Sequence, residues 1–236
     1  MFKSILLERA TALGLAISET QAAQFERYHT LLTEANARMN LTRVPDDPLE
    51  AVDRNYLDCA AVLAEDFPTI KTAVDVGSGA GLPGIPLSIL LPGVRFTLID
   101  ALGKRVDFLN AVIAELGLNA EALHMRAEDA ARESALRERF DIAVARAVAP
   151  MNVLCEYLLP LAKPGGYALA LKGPGLDEEL RQAERAIALL GGQLARVQPL
   201  RIPDRDWDHR AAWIQKVAPT PEKYPRRAGV VEKRPL

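Results

Sequence analysis

From Thr72 onward the chain alternates short aliphatic runs with longer stretches whose apolar residues fall three and four positions apart. Short apolar runs bounded by turn residues read as buried strands, and three-to-four spacing reads as amphipathic helix. The pattern predicts strands at 72–76, 94–100, 121–126, 140–146 and 166–172, with helices near 84–91, 103–116, 128–138 and 150–162 between them. Pro92-Gly93, Gly117 and Pro164-Gly165-Gly166 supply the stops. A helix over about 176–190 precedes two further β-like runs, 193–201 and 210–217. Only the short polar link Pro203-Asp204-Arg205-Asp206-Trp207-Asp208 joins that pair, so they are expected to run antiparallel. Strand–helix alternation is the mark of a parallel sheet wrapped by helices. The expectation is a seven-stranded α/β sheet whose last hairpin is antiparallel.

Before Thr72 the rhythm is helical. Residues 2–13 and 19–38 carry the spacing, with Phe25, Tyr28, Leu31 and Leu32 on one face. Ser18 followed by Gln21 fits a capping box at the second helix. Asn40-Leu41-Thr42-Arg43-Val44-Pro45 breaks the pattern, and Pro48 to Glu65 resumes it. The chain therefore divides into a helical cap (1–68), an α/β domain (69–217) and a short basic arm (218–236).

The junction Val74-Asp75-Val76-Gly77-Ser78-Gly79-Ala80-Gly81 is a strand running into a glycine turn, and Asp100 closes the next apolar run. Such a turn lets backbone approach a nucleotide, and an acid at the second strand's end is placed for ribose hydroxyls. Gly79-Ala80-Gly81-Leu82-Pro83-Gly84 also matches the dinucleotide fingerprint G-x-G-x-x-G. In that register Pro83 and Pro86 fall in the opening turns of the phosphate-binding helix, where proline beyond the first position removes a hydrogen bond. The register starting at Asp75 instead puts a carboxylate at the strand's end. There it would repel a pyrophosphate but could help hold an ammonium. S-adenosylmethionine has an ammonium and no phosphate, so it is the preferred cofactor over a nicotinamide or flavin dinucleotide. The bland alternative is a tight turn in a ligand-free domain.

Composition narrows the setting. The 236 residues, 49% hydrophobic and 25% charged, suit one domain with an appendage. No apolar run approaches the roughly 20 residues that span a bilayer, and the start Met1-Phe2-Lys3-Ser4-Ile5-Leu6-Leu7-Glu8-Arg9 meets charge too soon for a secretory signal. Cys59 and Cys155 lie far apart, and His29, His124 and His209 show no ligand spacing. A cytoplasmic protein without a metal is expected. Net charge is −2, but Lys216, Lys223, Arg226, Arg227, Lys233 and Arg234 against Glu222 and Glu232 give the last stretch +4 and leave −6 for residues 1–215. That asymmetry points to an arm for a polyanion, with Tyr224 available to stack on a base. The alternative is a solvated terminus.

Four further positions could carry chemistry. Ala127-Glu128-Asp129 follows the third strand, at the cleft edge where an adenine would lie, though acids also favour a helix start. Arg146 follows the fourth strand and Lys172 ends the fifth, both where residues face the ligand crevice of an open α/β sheet. The segment Arg146-Ala147-Val148-Ala149-Pro150 lacks the paired prolines and aromatic that grip an exocyclic amine. Cys155 sits on a mostly apolar helix among Val153, Leu154, Leu158 and Leu159 and reads as a packing residue rather than a nucleophile. A target atom that needs neither a base nor a covalent intermediate fits best: a ring nitrogen with a free lone pair.

The chain resembles the bacterial small-subunit rRNA guanine-N7 methyltransferases, the glucose-inhibited division protein B family, along nearly its whole length. The resemblance rests on Asn40-Leu41-Thr42, on Asp75 to Leu87 with its Gly-Leu-Pro-Gly-Ile-Pro core, on Leu98 to Leu109 with Leu102-Gly103-Lys104-Arg105, on Arg146-Ala147 and on Lys172-Gly173. The segment Thr220 to Gly229 is similar to that of the longer-tailed members. The resemblance implies a class I S-adenosylmethionine-dependent (Rossmann-like) fold and methyl transfer to N7 of a guanine in the decoding-site (530) loop of 16S ribosomal RNA. It implies that Gly77, Leu82, Ala127, Glu128 and Arg146 contact the cofactor, beside Asp75, Gly79, Gly81 and Asp100 read from the turn itself. Arg146 is expected to position the reactants without acting as a base, and Lys172, Lys223, Arg226, Arg227, Lys233 and Arg234 to meet RNA phosphates. A monomer working on the small subunit or its rRNA is expected. Two departures stand out: Asn55-Tyr56-Leu57-Asp58-Cys59 lacks the His and Ser often found around Leu-Asp, and Ala35 replaces a common Trp. A small-molecule methyltransferase and a non-catalytic RNA-binding assembly factor are the rival readings.

Overall fold

The computed structural model describes all 236 residues. Seven strands form one sheet: β1 (Thr72–Val76), β2 (Arg95–Asp100), β3 (Ala120–His124), β4 (Phe140–Arg146), β5 (Ala162–Lys172), β6 (Gly192–Pro199) and β7 (Arg210–Lys216), in the order β3-β2-β1-β4-β5-β7-β6. The first five run parallel, and β7 lies antiparallel between β5 and β6. The order reverses between β1 and β4, which makes the carboxyl ends of those strands the crevice of the fold.

Alternation along each strand splits the core into two layers. Ala73, Phe96, Leu98, Ile142, Val144, Leu169, Leu171 and Trp213 face one side, while Val74, Val76, Ile99, Ala143, Ala145, Ala168, Ala170 and Ile214 face the other. The first side is covered by the cap: α1 (Phe2–Ala12), α2 (Glu19–Met39), α3 (Pro48–Ala51), a π-helical turn over Val52–Leu57, α4 (Asp58–Ala60) and a 3-10 turn over Ala61–Leu63. Helices α5 (Gly84–Leu90) and α6 (Gly103–Leu116) complete that layer. The expected capping box is formed, Ser18 Oγ accepting from Gln21 N–H and the Gln21 side chain from Ser18 N–H. The second side carries α7 (Ala127–Ala130), α8 (Met151–Leu158), α9 (Leu176–Leu189) and α10 (Val230–Lys233). No helix is long and apolar enough to cross a membrane.

Three boundaries differ from the sequence expectation by more than two residues, one being α8, which ends at Leu158 rather than near 162. The helix expected over 128–138 is a four-residue α7 followed by turns, with Glu138 at a positive φ. The fifth strand begins at Ala162, not 166, because Pro164-Gly165-Gly166 forms a bulge inside it rather than a stop. A side chain at Gly166 would meet the Asp141 carbonyl at 2.5 Å, so glycine is required where the strands cross closely.

The larger correction concerns 218–236, which is not a free arm. Thr220, Tyr224 and Val231 are buried, and Arg132 and Arg137 donate to the Pro225, Tyr224 and Thr220 carbonyls. Arg226 forks onto Glu156 of α8, whose carboxylate is completely buried and also accepts the Arg226 N–H. Lys216 is buried as well, donating to Leu159 and pairing with Glu138 at 3.0 Å. Two of the counted cations are therefore spent on folding, and buried Tyr224 is closed to a base. Lys223, Arg227, Lys233 and Arg234 remain exposed.

Candidate functional site

The turn after β1 is built from the inside. Asp75 is fully buried, and its Oδ2 accepts from Gly84 N–H at 3.0 Å, the first amide of α5. A Cβ at Gly84 would meet that oxygen at 2.6 Å, so only glycine allows the approach. The helix end that would receive a phosphate in a dinucleotide fold is thus already occupied by a carboxylate. Five further amides of the turn are also used internally: Gly77 and Ser78 donate to the Ile99 carbonyl, Gly81 and Leu82 to Ser78, and Gly79 to Asp100 Oδ2 at 2.8 Å. Burial pushes the Asp75 carboxyl up to about 7, against the pull of its hydrogen bonds, and Oδ1 has no partner.

Asp100 ends β2 with its second oxygen accepting from Leu102 N–H at 2.9 Å, so the carboxylate is locked in place. Oδ2 also lies 3.5 Å from Arg105 Nη1, and Oδ1 keeps a lone pair for a further donor. Asp100 lines a narrow cavity with Val76, Gly77, Ala127, Glu128, Val148 and Tyr157. A Cβ at Gly77 would lie 2.8 Å from Val148 Cγ2, so the bare backbone keeps this cleft open. Glu128 is 5% exposed and makes no hydrogen bond to another residue, and burial raises its pKa.

A second cavity of about 390 Å³ opens at the ends of β4 and β5, lined by Arg146, Ala147, Lys172, Arg43, Arg54, Asp58, Glu179 and His209 among others. It meets the first across the segment 146–148, since Arg146 and Ala147 line one and Val148 the other. Arg146 Nη1 donates to Asp58 Oδ2 at 3.0 Å and to the Arg54 carbonyl, and His209 Nδ1 lies 2.7 Å from Asp58 Oδ1. That hydrogen bond raises the His209 pKa against the effect of burial. Lys172 pairs with Glu179 at 2.6 Å and donates to the Ala149 carbonyl. The π-helical turn of the cap presents Arg54 and Asn55 to this space.

Gly77, Asp100, Ala127 and Glu128 therefore meet in one cavity, and Arg146 and Lys172 in its neighbour. Asp75, Gly79, Gly81 and Leu82 line neither and shape the turn instead. Asp75 is completely buried beneath the glycine turn. The strap residues Lys223, Arg226, Arg227, Lys233 and Arg234 line neither cavity. Asp58 and His209 were missed by the sequence reading; they lie 88 and 63 positions from Arg146, and no local motif links them.

A cleft with an acid for ribose hydroxyls, a carboxylate at its far edge and its glycine amides already paired suits adenosine joined to an amino acid, and with the sheet order it defines a class I S-adenosylmethionine-dependent methyltransferase. A methyltransferase of that class from Aquifex aeolicus superposes with a TM-score of 0.53 at 21% identity, covering 73% of this chain and 95% of its own. The family model for rRNA small subunit methyltransferase G matches residues 21–207. Ribosomal RNA small subunit methyltransferase G of Lactobacillus johnsonii is 44% identical over 241 residues, covering 100% of both chains. That of Clostridium botulinum is 43% identical over 237 residues, covering 100% of this chain and 99% of its own. The chain belongs to the rRNA small subunit methyltransferase G family.

Proposed function

We propose that the protein transfers a methyl group to N7 of a guanine in the decoding-site (530) loop of 16S rRNA, with no general base. S-adenosylmethionine-dependent methylation of small-subunit rRNA is the activity of the family it belongs to. In this reading Gly77, Asp100, Ala127 and Glu128 hold the adenosine, and the base enters the larger cavity beside Arg146.

The observation that carries the reading is the state of the titratable groups in that larger cavity. Asp58 is engaged by Arg146 and His209, Glu179 by Lys172 and by Met151 N–H at 2.9 Å, and His209 is biased toward its charged form. None is a free base within the lining. Guanine N7 carries a lone pair at neutral pH and needs no deprotonation, so alignment supplies the rate. S-adenosylmethionine supplies an electrophilic methyl on its sulfonium when bound. Arg146, fixed at two points, orients what sits between the cavities. Arg43, Arg54 and Lys172 give the mouth three cations for phosphates flanking a splayed base.

The protein is taken to act in the cytoplasm as a metal-free monomer on the small subunit or its rRNA. Incubating 16S rRNA with S-adenosylmethionine carrying a labelled methyl and mapping the product by mass spectrometry tests the assignment. Label at N7 of one guanine in the decoding-site loop is the expected result. Label at an exocyclic amine or at a pyrimidine C5 overturns the base-free mechanism.

A further inference from the structure

The docked C-terminal strap does more than fold. Its short helix α10 brings Glu232 into the lining of the narrow cavity that holds Gly77, Asp100 and Glu128. Tyr157 of α8 donates its hydroxyl to Glu232 Oε1 at 3.3 Å, and the neighbouring α8 residue, Glu156, is the anchor for Arg226. Val231 is completely buried in the core layer behind α10. One helix thus both clamps the strap and shares a cavity wall with it.

We propose that the strap is the outer wall of the cofactor pocket, and that Glu232 accepts a hydrogen bond from the exocyclic amino group of the bound adenine. The proposal rests on the assignment of this cavity to the cofactor. Glu128, buried and without a partner on another residue, already points to a donor-bearing ligand here. A second carboxylate, Glu232, lines the same cavity, and when ionised it can only accept. An amino-purine edge satisfies both acids. A keto-purine would set its carbonyl lone pairs against theirs, and such unpaired polar contacts are strongly rejected. The basic residues of the strap then have a different meaning from the one their charge invites: Arg226 serves the cofactor cleft through Glu156, not RNA.

Calorimetry with S-adenosylhomocysteine and its inosine counterpart tests this on the full chain. The parent is expected to prefer the adenosine ligand by at least about tenfold. Exposed Glu232 tolerates substitution, so Glu232→Ala should fold, lose about tenfold in S-adenosylhomocysteine affinity and leave the inosine ligand unchanged. Glu232→Gln should narrow the preference further by gaining the inosine ligand, because its amide also donates. A parent that binds neither ligand removes the cofactor assignment itself. A parent that binds S-adenosylhomocysteine with Glu232→Ala and Glu232→Gln matching it in affinity and preference overturns the strap proposal alone.

Discussion

Asp75 sits one residue short of the end of β1 and Asp100 closes β2, yet the fold asks different things of the two carboxyls. Asp75 is desolvated and pushed up to about 7. The folded chain keeps its proton to that pH, while the unfolded chain releases it near the ordinary 3.8 of an aspartate. Its contribution to stability is thus complete under acid conditions and lost as pH rises through 7. Asp75→Asn keeps an acceptor for Gly84 N–H and cannot ionise. It should raise the melting temperature of the ligand-free protein at about pH 8 by about 2–4 °C, with no gain at about pH 4, as read by a thermal scan. Asp100→Ala removes the carboxylate that locks Gly79 and Leu102, and should weaken S-adenosylhomocysteine binding by about 1–3 kcal/mol in calorimetry. Both acids were legible from the strand–turn–strand pattern; which of them faces the cleft was not, because that depends on how closely α5 approaches β1. His209 looked inert by spacing alone. Its pKa is raised by Asp58, so the contact is strongest below the ordinary histidine range and is lost as pH rises through the folded value. An NMR titration should find the imidazole titrating above 6.5, and Asp58→Asn should return it toward that value.

At the scale of elements, the short apolar runs located all seven strands, most clearly β1, β2, β4, β5 and β7, which are buried on both faces. The pattern failed where turn residues serve packing instead of stopping a strand. Pro164-Gly165-Gly166 carries the punctuation of a loop, but the close Asp141 carbonyl makes it a bulge. The strap was misread for a related reason: six cations in a row of polar residues resemble a tail, and only the fold reveals a buried Glu156 waiting for one of them. Removing a single partner of such a pair leaves the other charge buried and uncompensated. Arg226→Ala should therefore cost about 3 kcal/mol of unfolding free energy in urea titration. Arg227→Ala, exposed and outside any ion pair, should stay within about 0.5 kcal/mol of the parent. Equal effects from the two substitutions would mean that the strap is held by its apolar contacts and not by the clamp.

Across the whole molecule, the cap is tied to the β6–β7 link by charge. Arg9 and Arg205 both reach buried Asp53, Arg9 also reaches Asp204, and Trp207 lies under Arg54 at 4.6 Å and beside His209. Apart from neighbouring Trp207 and His209, the partners lie far apart in sequence, which is why the cap's role in the site was illegible before folding. The network sets the cap edge against the ends of β4 and β5, and the mouth between them collects Arg43, Arg54 and Lys172 in a chain of net charge −2. With Arg146, these cations outnumber the two acids of the lining, Asp58 and Glu179, so the mouth attracts a polyanion. Each phosphate contact there releases counterions, giving a slope of log affinity against log salt of about 0.7–0.9 per contact. Arg43→Ala is the cleanest probe, since Arg43 is exposed and has no ion pair, whereas Arg54 also braces Trp207 and pairs with Glu50. It should weaken 16S rRNA binding at low salt and flatten the slope by nearly one contact, with S-adenosylhomocysteine affinity unchanged. Joint replacement of Arg227 and Lys233 by Ala, on the strap side, should alter the slope far less. The opposite ranking across a salt series would move the RNA path from the cap's edge to the strap.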